Sequence, residues 1–414
     1  MRSRLDELKD LGWSIGIWLL LLLLRPLIDA SWSLKNTPIG FSPLQLVGAG
    51  LPAFFVWTLW KKRNRVHSLL KEKPEVIAWG VLLLLAAVAA VVIEPGSASL
   101  GVALKFVLPP LAIVFGYLYV RDEKVFTTAA WALLTAGGVP VLFLLYELIA
   151  GPMSTSIRGG VPRFIGPYAQ VSVYGIHLSM MLMGMGYLAI RKGDRLHLVL
   201  LLATTAILGL STAFLVHVST WAVQLGMVIL ILAFLLRKRA WSRSAMLAGT
   251  AVLFVLAGFA LRPEYTYRWV IMPDVEVLSS EAPAEQFMNS RGGIWEHHLA
   301  DISRLPLHAQ LLGSSLSGTN FFGATTFGAH NDLLRIFMAT GVIGLLLYLF
   351  WLGRVIWRVL HMHAETRFLG LAALIVLLGY SVALTPTYIV PLVTVLLPVL
   401  GGLSGCTGSN DRLG

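Results

Sequence analysis

Cysteine is almost missing from this chain: Cys406, near the C-terminal end, is the only one. That excludes an intramolecular disulfide framework and any cysteine-based metal centre. Charge is scarce as well. Only 13% of the 414 residues are charged, 57% are hydrophobic and the mean hydropathy is +0.77, which excludes a water-soluble domain of this size. Acidic residues are the rarer sign, 21 against 32 Lys and Arg, for a net charge of +11. The basic residues are scattered between apolar runs and form no single basic face, so nucleic acid is not an expected partner. A leader-type cleavage pattern is also lacking. The first apolar run, Trp13 to Leu24, is followed by Arg25-Pro26 and reads as a spanning segment.

What the chain does have is long uninterrupted apolar stretches. In hydrocarbon a backbone must satisfy its own hydrogen bonds, and continuous rather than alternating hydrophobicity favours helices over a barrel. Runs long enough to cross fall at 13–32, 38–60, 76–94, 101–120, 125–150, 171–190, 198–215, 220–236, 244–261, 331–352, 368–385 and 387–403. The first, seventh and last are short for the task. The expectation is an all-α polytopic membrane protein, a single membrane domain over 1–414 with about twelve transmembrane helices.

Basic loops orient such a chain. With the N-terminus in the cytoplasm, that side takes Arg2, Arg4, Lys9, the run Lys61-Lys62-Arg63-Asn64-Arg65 with Lys71 and Lys73, Arg121, Lys124, Arg191, Lys192 and Arg195. It also takes Arg237-Lys238-Arg239, Arg243, Arg354, Arg358, Arg367 and Arg412. The other side keeps far fewer: Arg25, Lys35, Arg158, Arg163, Arg262, Arg268, Arg291 and Arg304, with Lys105 and Arg335 inside spans. Both termini are therefore expected in the cytoplasm. Two polar segments, 151–170 and the longer 262–330, are expected outside it. Within the second, Trp295-Glu296-His297-His298-Leu299-Ala300-Asp301-Ile302 reads as a short amphipathic surface helix.

The residues able to carry chemistry cluster around these outside segments. His330-Asn331-Asp332 stands where the long segment enters a membrane helix, followed by Gly341 and Gly344. Exposed N–H groups at such a helix start favour an anion. Asn331 or Asp332 serves equally as a helix cap, and the glycines as packing positions. Arg291, in Asn289-Ser290-Arg291-Gly292-Gly293-Ile294-Trp295, and Arg163, in Pro162 to Gln170, stand where arginine is scarce. A guanidinium binds phosphate oxygens in pairs, whereas the plainer reading is contact with lipid head groups or loop carboxylates. His177 and Glu147 flank the 151–170 segment and line either an acceptor groove or a local structural contact. Asp29 follows Arg25 by four residues, as in a helical ion pair. Glu296-His297-His298 diverge on a helix and read as a surface, so no metal site is expected.

His-Asn, nine residues, Gly, two residues, Gly, with the Arg291-to-Trp295 stretch, Pro306, Gly313 and the Arg163-to-Gln170 stretch, resembles the O-antigen ligase and O-antigen polymerase superfamily of bacterial membrane glycosyltransferases. The resemblance covers roughly 155–350. Two positions depart from it: Ser219-Thr220-Trp221 stands where a Ser-Arg type motif is common, and Gln170 where asparagine is common. The resemblance implies a GT-C-like fold and a multi-pass protein of the bacterial inner membrane with its active site outside the cytoplasm. It implies transfer of a glycan from an undecaprenyl-pyrophosphate carrier to an acceptor hydroxyl, with inversion and without cofactor or metal. It assigns His330 as base or phosphate contact, Asn331 as its orienting partner, and Arg163 and Arg291 to the pyrophosphate. Gln170 and Trp295 go to the substrate groove, joined by His177 on its position at a span end; helical spacing alone adds Arg335, one turn beyond His330 on roughly the same face, as a further charge for the pyrophosphate. Lipid A-core, a lipid-linked repeat unit and a protein remain open as acceptors, with membrane lipids as surroundings. A sugar transporter or flippase is the competing class, disfavoured by the absence of an internal repeat and by the few ionisable residues in the spans.

Overall fold

The structure is a computed structural model that describes residues 12–36, 42–93, 95–158, 161–215, 217–261, 287–313, 331–382 and 384–406. In chain order the elements are α1 (Trp13–Ala30) with a 3-10 turn (Ser31–Asn36), α2 (Pro43–Lys61), α3 (Arg63–Glu72), α4 (Pro74–Ile93), α5 (Ser97–Tyr119) and α6 (Glu123–Ala150). Strands β1 (Thr155–Arg158) and β2 (Val161–Phe164) come next. Then follow α7 (Val171–Lys192), α8 (Arg195–Leu215), α9 (Val218–Arg237), α10 (Trp241–Leu261), α11 (Phe287–Ser303), α12 (Leu307–Leu312), α13 (Asp332–Leu360), α14 (Ala364–Ser381) and α15 (Val390–Gly405).

Each of the twelve apolar runs coincides with a helix. Among the described residues ten of these helices are long and apolar enough to cross a membrane. The chain is thus an all-α multi-pass membrane protein. The other two apolar runs fall on α8, 21 residues long, and on the shorter α15. At 16 residues α15 is about 24 Å long, less than a hydrocarbon core of about 30 Å. In the other direction, α13 runs eight residues past the expected end at 352, to Leu360, because Leu352 to Leu360 keeps its apolar face and ends in basic residues.

Two expectations are refined. The segment 151–170 carries an antiparallel hairpin, with Thr155 opposite Phe164 and Arg158 opposite Val161. The helix expected over 295–302 extends from Phe287 to Ser303, and part of its apolar side is covered: Ile302 packs with Leu334 and Met338 of α13, flanked by Trp295 and Phe337, while Leu299 stays exposed.

The helices gather into two compact units. The first holds α1, α6, the hairpin, α7 to α10 and the first part of α14. Its centre is α7, buried along nearly its whole length and flanked by α6, α8 and α9. The second holds most of α2, then α3 to α5, α11 to α13, and α15, which is buried from Pro391 to Gly405. Lipid supplies no hydrophobic drive between helices, so tight packing of small residues has to hold them. In the second unit α5 and α15 meet backbone to backbone: a Cβ on Gly116 would lie 2.0 Å from the Pro398 carbonyl oxygen, and one on Gly401 would lie 2.2 Å from that of Ile113. Gly116→Val is expected to destabilise the protein by roughly 1–3 kcal/mol through overpacking, read as a lower melting temperature of the detergent-purified protein. An unchanged melting temperature would refute the close approach.

Candidate functional site

In the second unit, the start of α13 collects polar side chains. Asn331 caps the helix, its Oδ1 accepting the Leu334 N–H at 3.0 Å. That realises the capping reading of this residue and leaves its amide NH2 for other work. Asp332 is fully buried and accepts from the Thr387 hydroxyl at 2.7 Å and the Thr387 backbone N–H at 3.2 Å. One turn on, the Arg335 guanidinium lies 3.2 Å from the centroid of the Tyr388 ring. The Lys105 ammonium of α5 lies 4.3 Å from the same centroid. Two cations and the positive end of a helix dipole thus converge where Asp332 is the near carboxylate.

The glycines of the motif have a mechanical reason. Gly341 has φ +66 and ψ −170, which kinks α13 there. A Cβ at Gly341 would lie 2.2 Å from the Leu311 backbone, and one at Gly313, with φ +116, would lie 2.2 Å from the Ala339 carbonyl oxygen. Only glycine adopts these angles without strain and permits this approach. The pair locks α12, at the end of the described part of the long polar segment, onto α13. Thr340 steadies the kinked turn by donating its hydroxyl to the Ile336 carbonyl at 2.7 Å, and Gly344 leaves it the room.

In the first unit, a buried ionic cluster joins α1 to α7. Arg25 and Asp29 form the ion pair expected from their spacing, at 2.8 Å, and Asp29 also meets His177 Nε2 at 2.9 Å. All three side chains are almost fully buried. The Tyr168 ring packs 5.6 Å from His177 and 5.1 Å from Tyr174. Burial, and after it the Asp29 carboxylate, holds the Tyr168 hydroxyl well above the usual phenol range, so it stays protonated. Nearby, Glu147 accepts the Met153 and Gly166 N–H groups, each at 3.1 Å, and so pins both ends of the hairpin to the end of α6.

The expected site residues fall as follows. Arg163 is on β2, half-buried, opposite Ser156. Gln170 is the exposed residue preceding α7, and His177 is in the ionic cluster. Trp295 packs beside Ile302. Arg291 belongs to α11, but its side chain lies outside the described residues, as does His330 entirely. Asn331 and Arg335 are brought together at the start of α13. Sequence reasoning placed Lys105 inside a span without giving it a role at this site, and missed Thr387 and Tyr388. A signal existed for the first, since a lysine inside an apolar span marks a functional position by default; Thr387 and Tyr388 carried none. Among the described residues no three His, Cys, Asp or Glu side chains converge on a metal-sized site.

Neither a model of any known protein family nor any curated protein matches this chain.

Two substitutions probe this geometry. Asp29→Ala leaves the Arg25 charge buried without its partner, at a cost of roughly 3–5 kcal/mol, and should show as loss of the monodisperse peak in size exclusion or a large drop in melting temperature. Gly341→Ala should cost roughly 1–3 kcal/mol of backbone strain and speed limited proteolysis within α12. Gly138→Ala is the control, because a Cβ there meets nothing within 4 Å.

Proposed function

We propose that this protein is a lipid-linked glycan transferase of the O-antigen ligase or polymerase type, acting on the side of the membrane opposite the basic loops. The observation that carries the reading is the convergence of Lys105 and Arg335 on Tyr388 at the start of the helix that immediately follows His330. The reading rests on the second unit. Arg163, given the same task by the resemblance, belongs to the first.

The chemistry asks little covalent work of the protein. The acceptor hydroxyl oxygen attacks the anomeric carbon from the face opposite the leaving group. The carbon–oxygen bond to the pyrophosphate breaks, and undecaprenyl pyrophosphate departs with the electron pair. Charge grows on the leaving group, and fixed cations with a helix N-terminus stabilise it as it forms. Lys105, Arg335 and Arg291 take this role. His330, neutral, accepts the proton released by the acceptor hydroxyl, and the Asn331 amide, its oxygen committed to the cap, offers N–H groups to sugar or carrier. The kink at Gly341 and the α12 lock hold the frame, as transfer demands groups preset to within a fraction of an ångström.

The buried Arg25–Asp29–His177 cluster gives specific support to a second reading, proton-coupled transport of a lipid-linked sugar, because paired ionisable groups in spans are typical of proton pathways. One experiment separates the two. In a deletion strain complemented with His330→Ala, Arg291→Ala or Lys105→Met, made at normal levels, surface polysaccharide on a gel should be abolished or fall at least tenfold, with lipid-linked units accumulating outside the cytoplasm. Accumulation on the cytoplasmic face would instead favour transport, and unchanged polysaccharide with all three would overturn the assignment. Bare core marks a ligase; core with one repeat unit marks a polymerase.

A further inference from the structure

The other end of α13 carries an arrangement that transfer chemistry does not use. A cavity of about 380 Å³ opens there, lined by Lys73 from the link between α3 and α4 and by Leu349, Phe350, Arg354, Trp357 and Arg358 from α13. The cavity lies toward the end of α13 far from Asn331, beyond the kink at Gly341, with its lining starting at Leu349. No acidic side chain is in its lining. Lys73 is the unusual member: it is 7% exposed, yet its ammonium meets no carboxylate at ion-pair distance among the described residues. The Tyr117 ring, 5.9 Å away, is its recorded neighbour. Arg354 is held by Glu75 at 2.9 Å, and Glu72 is engaged by the Tyr117 hydroxyl. Arg358 donates to the Cys406 carbonyl through Nε at 3.1 Å and through its terminal nitrogen.

Three cations therefore border one cavity, and the most buried, Lys73, shares Glu75 and Glu72 at longer range while those acids are in contact with Arg354 and the Tyr117 hydroxyl. Burial, and then repulsion from Arg354, pulls the Lys73 pKa down to about 8, with Glu75 opposing and Arg358 adding to the effect. A bound anion would relieve this. The surroundings say what kind. Phe350 and Trp357 are 59% and 62% exposed beside the cavity, an apolar wall continuous with the lipid-facing side of α13. Alongside, α3 presents exposed Arg63 and Arg65, with Leu69 buried beneath, and Lys61 lies 3.6 Å over the Trp57 ring. A basic amphipathic helix flanked by tryptophans belongs at a membrane surface. Gly353 leaves the cavity floor open, since a Cβ there would meet nothing within 4 Å.

We infer that Lys73, Arg354 and Arg358 form a binding site for the phosphodiester head group of an anionic membrane lipid, whose acyl chains lie along Leu349, Phe350 and Trp357. Cationic pockets between helices on the basic-loop side suit such head groups. The site is independent of the transferase reading and of the residues assigned to it.

Native mass spectrometry of the delipidated full chain tests it. Phosphatidylglycerol should bind more tightly than phosphatidylcholine, and Lys73→Met, which keeps the aliphatic stem, should weaken phosphatidylglycerol about fivefold while Lys73→Arg restores it, the effect of one cation at a membrane surface. Equal binding of the two lipids, or unchanged binding by Lys73→Met, overturns the inference. So does displacement of phosphatidylglycerol by millimolar inorganic phosphate, which would make this a soluble-anion site. Should Lys73→Met fail to fold, wild-type protein labelled with a diazirine phosphatidylglycerol decides the matter. Label on the peptide spanning 349–358 supports the site, and label elsewhere alone overturns it.

Discussion

The bare-backbone contact between α12 and α13 is the constraint on which the second unit's polar corner depends. Gly313 and Gly341 each sit at a positive φ and each meets the other segment's main chain, at Ala339 and Leu311 respectively. Neither approach is possible with a side chain present. Because the contact is reciprocal, it fixes translation and rotation of α12 together. Trp295 and Ile302 of α11 then pack on the same stretch of α13, at Leu334 and Met338, so the described part of the polar segment is tied to this one helix. Asn331, Asp332 and Arg335 take their positions from the same half-turns.

Charge inside the spans follows a consistent rule. Desolvation of an isolated ion is too costly for hydrocarbon, and the buried acids described here have partners suited to their sign. Asp29 is shared between Arg25 and His177, Asp332 takes two donors from Thr387, and Glu147 takes backbone N–H groups. Arg335 and Lys105 use the face of an aromatic ring instead. A ring neutralises a cation only in part. At the start of α13 the Asp332 carboxylate also acts on Arg335, whereas the α1–α7 cluster pairs its acid directly with Arg25 and His177.

Much of the fold was legible from residue order alone. Twelve apolar runs became twelve helices, since a run of Leu, Val and Ala in lipid has few alternatives to helix. The Arg25–Asp29 pair followed from a four-residue spacing. His177 as its third member did not, because joining residues 29 and 177 requires knowing that α1 and α7 both pack against α6. The hairpin at 155–164 was hidden by its shortness and by glycines that read equally as loop. At the site, the glycine spacing was visible and its cause was not: a φ of +66 at Gly341 leaves no trace in composition. Tyr388 was hidden for a related reason. Near span ends aromatic residues are common as interfacial anchors, and nothing local distinguishes one that carries two cations.

The lock between Gly313 and Gly341 makes the stretch from Asn331 to Gly341 a ruler. Each added or deleted residue in a helix turns everything beyond it by about 100 degrees and shifts it by about 1.5 Å. A single insertion between Asn331 and Gly341 would carry the cap to another face while Gly341 stayed bound to Leu311. The spacing from 331 to 341 is therefore as much a part of the site as the residues it separates, since the lock converts chain length into orientation.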